Sequence, residues 1–311
     1  MSITPNFSSF KKKYEAGQNQ VIFAKLTSDL DTPVSIMLKL AGAKQNSFIL
    51  ESVTGGETRG RYSIIGMEPD LIWKCEGDQS FLSSGNNEFK HVEGNPLSIF
   101  RNLLKQSAIN LPEDLPQASA GLFGYFGYDM VRHVEELPNV NPDKIGLPDA
   151  MFIRPSIIAV LDGVKGEVIL VSPVFYNQET SSDQAFKKAQ NKIENAILEL
   201  KKQIVTNRNL GKPGEIEEPS SNFTKEEYKS AVKKAKAYIN QGDIFQVVPS
   251  QRWTQKFPYS PFSLYRSLRR TNPSPFMFFF NFGNFQVIGA SPEILVRVFG
   301  KEVTVRPIAG T

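Results

Sequence analysis

Hydrophobic and polar positions along the first 205 residues alternate in short runs. FILES (48–52), RYSIIG (61–66), DLIWKCEG (70–77), FIRPSIIAVLD (152–162) and GEVILVSPV (166–174) carry the β-branched and aromatic density of strands. LSIFRNLLKQS (97–107) has helical spacing. So does the stretch from about Ser182 to Val205, where Phe186, Ala189, Ile193, Ile197 and Leu200 recur on one face. Short strands with few helices predict a mainly antiparallel α+β unit.

Residues 206–223, TNRNLGKPGEIEEPSSNF, are polar and contain Gly and Pro, and they read as a linker. A helix follows. Thr224 with Glu227 makes a capping box, Tyr228, Ala231, Val232, Ala235, Tyr238 and Ile239 form one apolar stripe, and Gly242 closes the helix. IFQVVPSQRW (244–253) then reads as a strand, and Ser260-Pro261 opens a second helix over FSLYRSLRR. The turn TNPSP (271–275) leads into FMFFFNF, a buried strand. ILVRVFG and KEVTVRP follow as a hairpin through Gly300-Lys301. The expected organisation is an N-terminal region 1–205, a linker 206–223, and a second domain beginning at 224 and continuing through 311.

Composition narrows the class. Of 311 residues 40% are hydrophobic and 22% charged, with 23 Phe, which allows a large aromatic core. A net charge of +4 without a basic tract argues against nucleic acid. Cys75 stands alone, so no internal disulfide forms and a cytoplasmic setting is the default. The N-terminus lacks the apolar core of a signal peptide, and no apolar run reaches the roughly 18 residues of a membrane span. His91 and His133, far apart, make zinc or Cys/His nucleophilic chemistry improbable.

Four stretches could carry chemistry. On a strand, Gln246, Ser250 and Arg252 share one face, either a solvated sheet face or a polar pocket wall with Arg252 as a carboxylate partner. RPIAGT (306–311) offers the Gly310 and Thr311 amides and a hydroxyl to an anion. In GLFGYFGYD (121–129) the spacing of Gly121, Gly124 and Gly127 is not the dinucleotide fingerprint, and these glycines read as close backbone packing. His133, just beyond, reads as structural. Glu51-Ser52, at the end of an apolar strand, either caps a turn or grips an amino acid's ammonium and carboxylate.

In order along the chain, SFILES, RGRYSIIG, GLFGYFGYDMVRHVEELP, GDIFQVVPSQRW, NPSPFMFFF, SPEILV and RPIAGT strongly resemble anthranilate synthase component I, a chorismate-utilising family, from about Asn46 to Thr311. The resemblance implies an α+β fold whose mainly antiparallel β-sheets pack as a sandwich with outer helices. It implies a reaction in which chorismate and ammonia give anthranilate and pyruvate. Ammonia would come from a glutamine amidotransferase partner subunit, and tryptophan would act as feedback inhibitor. Gln246 would line the site near the nucleophile, and Gly310 and Thr311 would bind chorismate, Thr311 within the catalytic set.

Relatives that use water carry lysine where this chain has Gln246. Those that make aminodeoxychorismate carry lysine where it has Ala309. Both positions point to the anthranilate-forming branch. Glu51, Ser52, Asn272, Pro275, Phe276 and Met277 would form the tryptophan site. Mg²⁺ is implied as cofactor, its ligands expected beyond Thr311, because family members continue after RPIAGT and the chain reads as incomplete. The alternatives are aminodeoxychorismate synthase component I and a non-catalytic tryptophan-binding fragment.

Overall fold

The computed structural model describes residues 2–42, 44–53, 60–84, 88–138, 142–204 and 217–307. The elements run α1 (Phe7–Glu15), β1 (Gln20–Thr27), α2 (Pro33–Leu40), β2 (Ser47–Glu51), β3 (Tyr62–Glu76), β4 (Gln79–Ser83), β5 (Lys90–Val92), α3 (Pro96–Gln106), β6 (Phe123–Phe126), β7 (Ala150–Asp162), β8 (Glu167–Val174) and α4 (Ser182–Leu200). After them come β9 (Ser220–Ser221), α5 (Lys225–Gln241), β10 (Trp253–Thr254), α6 (Pro261–Thr271), β11 (Phe276–Asn281), β12 (Gln286–Ser291), β13 (Arg297–Phe299) and β14 (Glu302–Thr304).

Ten strands form one sheet whose main path is β1-β8-β7-β3-β2-β11-β12, with β4, β5 and β6 attached off it. Its pairings are antiparallel throughout, so the mainly antiparallel α+β class holds. β7 reads as almost continuously buried because both of its faces are covered. On one side α4 packs on β8 and β1, α1 on β1 and α2 on β2 and β3, with Ala185, Ala189, Ile193 and Ala196 of α4 turned inward. Ile158 and Val160, on alternate positions of β7, join Val21, Phe23, Ile169 and Val171 in a separate apolar cluster. Burying each such side chain contributes roughly 1.5–3 kcal/mol.

Several expectations change. RYSIIG and DLIWKCEG are not two strands but halves of β3, which pairs with β7 along its whole length. The register shifts between Pro69 and Leu71, and a bulge of this kind accommodates the proline within the strand. β1, β4 and β12 were not anticipated, nor were α1 and α2. The first is fully paired to β8 despite its polar end, and tertiary pairing overrides weak local pattern there.

The chain divides into two compact units, and the division is not the one expected. The first comprises Met1–Ile204 and Tyr265–Pro292, the second Val205–Leu264 and Glu293–Thr311. The strand pair β11–β12 leaves the expected second domain because β11 hydrogen-bonds to β2 in register, Phe280 opposite Phe48. Residues 205–216, most of the expected linker, lie outside the described residues.

In the second unit α5 has the expected ends. Thr224 and Glu227 cap each other reciprocally, and Gly242 adopts the left-handed conformation with φ 84°. Its apolar stripe is not buried: Val232, Tyr238 and Ile239 are all exposed. The expected strand 244–253 is also not formed. Only its last residue, Trp253, enters a ladder, opposite Ser221. A strand is a paired structure, and no described strand runs beside 244–252 to accept its amides. Phe245 and Val248 point into solvent there. The β13–β14 hairpin turns at Gly300, φ 58°, as expected.

Candidate functional site

The first unit gathers one set of expected site residues at a single corner. β2 lies between β3 and β11, and its last residue Glu51 stands opposite Ser63 on one side and Met277 on the other. This apolar strand carries its terminal carboxylate into the interior, where the Glu51 side chain is only 1% exposed. A carboxylate so placed needs donors. Helix α6 supplies them. Tyr265 and Arg269 are four residues apart and so lie on one helical face. The Tyr265 hydroxyl and the Arg269 Nε, the latter at 2.7 Å, both donate to Oε1 of Glu51. Burial next to this carboxylate pushes the Tyr265 phenol far above its ordinary range, and the bond to Glu51 raises Arg269. Tyr265 also packs against Phe279 of β11, ring centres 6.0 Å apart.

The turn after α6 completes the corner. The Asn272 amide donates to the Leu268 carbonyl at 2.8 Å. The Ser274 hydroxyl donates to the Asn272 carbonyl at 3.3 Å. The Val53 amide donates to the Ser274 carbonyl at 3.2 Å, tying the residue after Ser52 to the residue before Pro275. From there β11 starts, with Phe276 42% exposed and Met277 buried. Gly60 closes on Ser52 from another side. A Cβ on Gly60 would lie 3.1 Å from the Ser52 carbonyl oxygen, and its φ of 98° suits glycine. The chain next to Gly60 is pinned by Arg61, whose guanidinium grips Asp162 through Nε (3.0 and 3.1 Å) and Nη2 (2.6 Å). That bond holds the Asp162 carboxyl below its ordinary range.

Glu51, Ser52, Asn272, Pro275, Phe276 and Met277, more than two hundred residues apart in sequence, thus share one corner. Its chemistry is a short hydroxyl, backbone polar groups, an anchored carboxylate and two apolar side chains. Tyr265 and Arg269 were missed. Their signal was present: an acid ending an apolar strand demands partners, and FSLYRSLRR offers a phenol and a guanidinium at helical spacing.

The remaining expected residues are distributed otherwise. Gln246 belongs to the second unit, in the irregular stretch before β10, so it shares no strand face with Ser250 and Arg252. The Arg252 amide donates to Asn222 Oδ1 at 2.7 Å, and Gln251 Nε2 donates to Ser221 Oγ at 2.6 Å. Ala309, Gly310 and Thr311 lie outside the described residues.

His133 is 8% exposed, its Nε2 3.8 Å from the Cys75 sulfur and its Nδ1 3.8 Å from Asp78. Burial pushes the Cys75 thiol up to about 11, which leaves it protonated and inert at neutral pH. Among the described residues no group of three or more His, Cys, Asp or Glu converges as a metal site would require. Mg²⁺ takes oxygen ligands, and among the described residues no cluster of three such side chains is present to offer them. No described helix is long and apolar enough to cross a membrane.

A ten-stranded antiparallel sheet backed by helices defines the class of fold, and the crystal structure of anthranilate synthase component I from Streptococcus pneumoniae shares it. That structure superposes with a TM-score of 0.65 and 26% identity, over 89% of this chain and 59% of that one. The chain belongs to the chorismate binding enzyme family, which it matches over residues 45–311. It is 57% identical over 310 residues to anthranilate synthase component 1 of Cereibacter sphaeroides, and 41% identical over 316 residues to that of Pseudomonas putida. Each alignment covers 98% of this chain, which spans 62% of the length of each relative.

Proposed function

We propose that this chain belongs to a cytoplasmic enzyme that forms anthranilate from chorismate, with ammonia delivered by a separate glutamine amidotransferase subunit. Ammonia adds at ring C2 and the C4 hydroxyl departs as water. The enolpyruvyl ether is then eliminated as pyruvate, and the ring becomes aromatic. Gln246 is a neutral amide suited to lining the path of an uncharged nucleophile. It cannot serve as the general base that activates water. Ala309 has no amine with which to displace the hydroxyl covalently. Gly310 and Thr311 would bind chorismate. Mg²⁺ would serve the whole protein.

The observation that carries this reading is the 57% identity to a protein named anthranilate synthase component 1, sustained across nearly the whole chain. The test is a fluorescence assay on the full-length protein supplied with chorismate, Mg²⁺ and ammonium. Appearance of anthranilate with equimolar pyruvate is expected. Formation of aminodeoxychorismate in its place would sink the proposal.

The corner at Ser52 supports a second part of the same reading, tryptophan as feedback inhibitor. Phe276 provides exposed apolar surface over the buried Met277, beside the Ser52 hydroxyl, a mixture suited to an indole-bearing zwitterion. Ser52→Phe fills the corner. Tryptophan inhibition should weaken by about 100-fold, roughly 2.7 kcal/mol, with turnover largely retained. Inhibition curves on the purified variant check this, and a parent-like curve would remove Ser52 from the site.

A further inference from the structure

A cavity lies elsewhere in the first unit, on the helix-covered side of the sheet. It holds about 360 Å³ and is walled by Leu40, Met67, Ile157 and Ala196. Lys192 of α4 lines it. The Lys192 amine donates to the Ser156 hydroxyl, which donates in turn to the backbone carbonyl of Glu68. Glu68 adopts the left-handed conformation, φ 51°, which a glutamate tolerates poorly, and its carbonyl is the one Ser156 uses.

The partner of Lys192 is therefore a neutral hydroxyl. Among the described residues no carboxylate lies within ion-pair distance of this half-buried amine, although two are close enough to act on it electrostatically. Both are committed elsewhere. Glu68 binds Lys44 at 3.0 Å, and Asp70 binds Arg154 at 2.7 Å. The other acid on the rim, Glu199, binds Lys202 at 2.7 Å. Among the residues that line the cavity, Lys44, Lys192 and Lys202 carry ammonium groups, and Glu68 and Glu199 carboxylates. Burial and the neighbouring Lys188 push the Lys192 amine below its ordinary range. A half-buried cation without a counter-ion is costly unless an anion arrives to pair it.

We propose that this cavity is a binding site for a small organic monoanion, its carboxylate on the Lys192 amine and its apolar body against Leu40, Met67 and Ile157. The site stands apart from the Glu51 corner, and it does not depend on the anthranilate-forming reading.

The probe is benzoate, with benzamide as the uncharged match, titrated into the full chain by calorimetry. Saturable one-to-one binding of benzoate is expected, with no binding of benzamide. Lys192→Met should weaken benzoate at least tenfold. Ala196→Leu, which narrows the cavity and keeps the charge, should do the same. Lys187→Met, on the exposed side of the same helix, should bind like the parent. Thermal melting confirms that each variant is folded, and Lys192→Met should melt no lower than the parent, since it loses an unpaired cation. Three results overturn the proposal: no saturable binding by the folded parent, equal affinity for benzamide, or parent-like benzoate binding by both cavity variants.

Discussion

Replacing Glu51 with alanine should cost about 3 kcal/mol of unfolding free energy, near the lower bound for breaking a buried charged pair. The Glu51 side chain is 1% exposed and accepts from both Tyr265 and Arg269 through one oxygen. Its loss removes the carboxylate that the fully buried Tyr265 phenol donates to. Arg269 is 32% exposed and can turn to water, which keeps the cost below the top of the range. Tyr265→Phe combined with Glu51→Ala should cost less than the sum of the two, because they share one hydrogen bond.

Urea titration at neutral pH measures both variants. A Glu51→Ala loss under about 1 kcal/mol would show that this carboxylate does not anchor α6 to β2. A pH dependence follows from the same contact. The folded phenol is raised above its ordinary value of 10.0, so the folded state keeps a proton that the unfolded chain releases. The stability contributed is complete below pH 10 and declines as pH rises beyond it. Tyr265→Phe should flatten that alkaline decline.

Gly124→Ala should be the more damaging change, with a loss of roughly 4 kcal/mol or more. A Cβ at Gly124 would sit 1.9 Å from the Met151 carbonyl oxygen and 2.7 Å from the Phe152 Cα. Both are backbone atoms of β7, in the middle of the sheet, and no side-chain rotation relieves the clash. β6 must then leave β7. With it go the stack of Phe123 on Phe48, ring centres 4.6 Å apart, and the contact of Phe126 with Phe152 at 4.7 Å. Gly163→Ala is the control. Its nearest neighbour would be 3.5 Å away, an ordinary contact, and it should cost under about 1 kcal/mol. Near-ultraviolet dichroism and melting temperature report the outcome. Equal melting of the two variants would contradict the close approach of β6 to β7.

The glycines at 124 and 127 were interpretable as close backbone packing before any fold was known, whereas Gly121 has no such approach and serves a positive φ of 148° instead. The ends of α5 were equally legible, since Thr224 with Glu227 is a local arrangement closed within four residues. The Ser181–Gln184 cap of α4 is just as local but was not read, and α4 ends at Leu200, short of the expected Val205. The corner at Ser52 was legible only through resemblance to a family. Residue pattern alone left Glu51-Ser52 open between a turn cap and a ligand grip.

What the sequence by itself determined about this protein is therefore what neighbouring residues decide among themselves: the helix ends, the turn at Gly300, and the apolar runs of β2, β7, β8 and β11. Tertiary structure decided the partners. β11 passes over the expected domain boundary to pair with β2, which brings Met277 beside Glu51. β3 runs unbroken through Pro69 because β7 pairs with it on both sides of the bulge. The stretch 244–252 alternates as a strand should, yet forms none without a ladder beside it. Periodicity records which face of a segment is apolar. The hydrogen-bond partner and its register come from chain far away in sequence, and a local pattern carries no information about which segment that is.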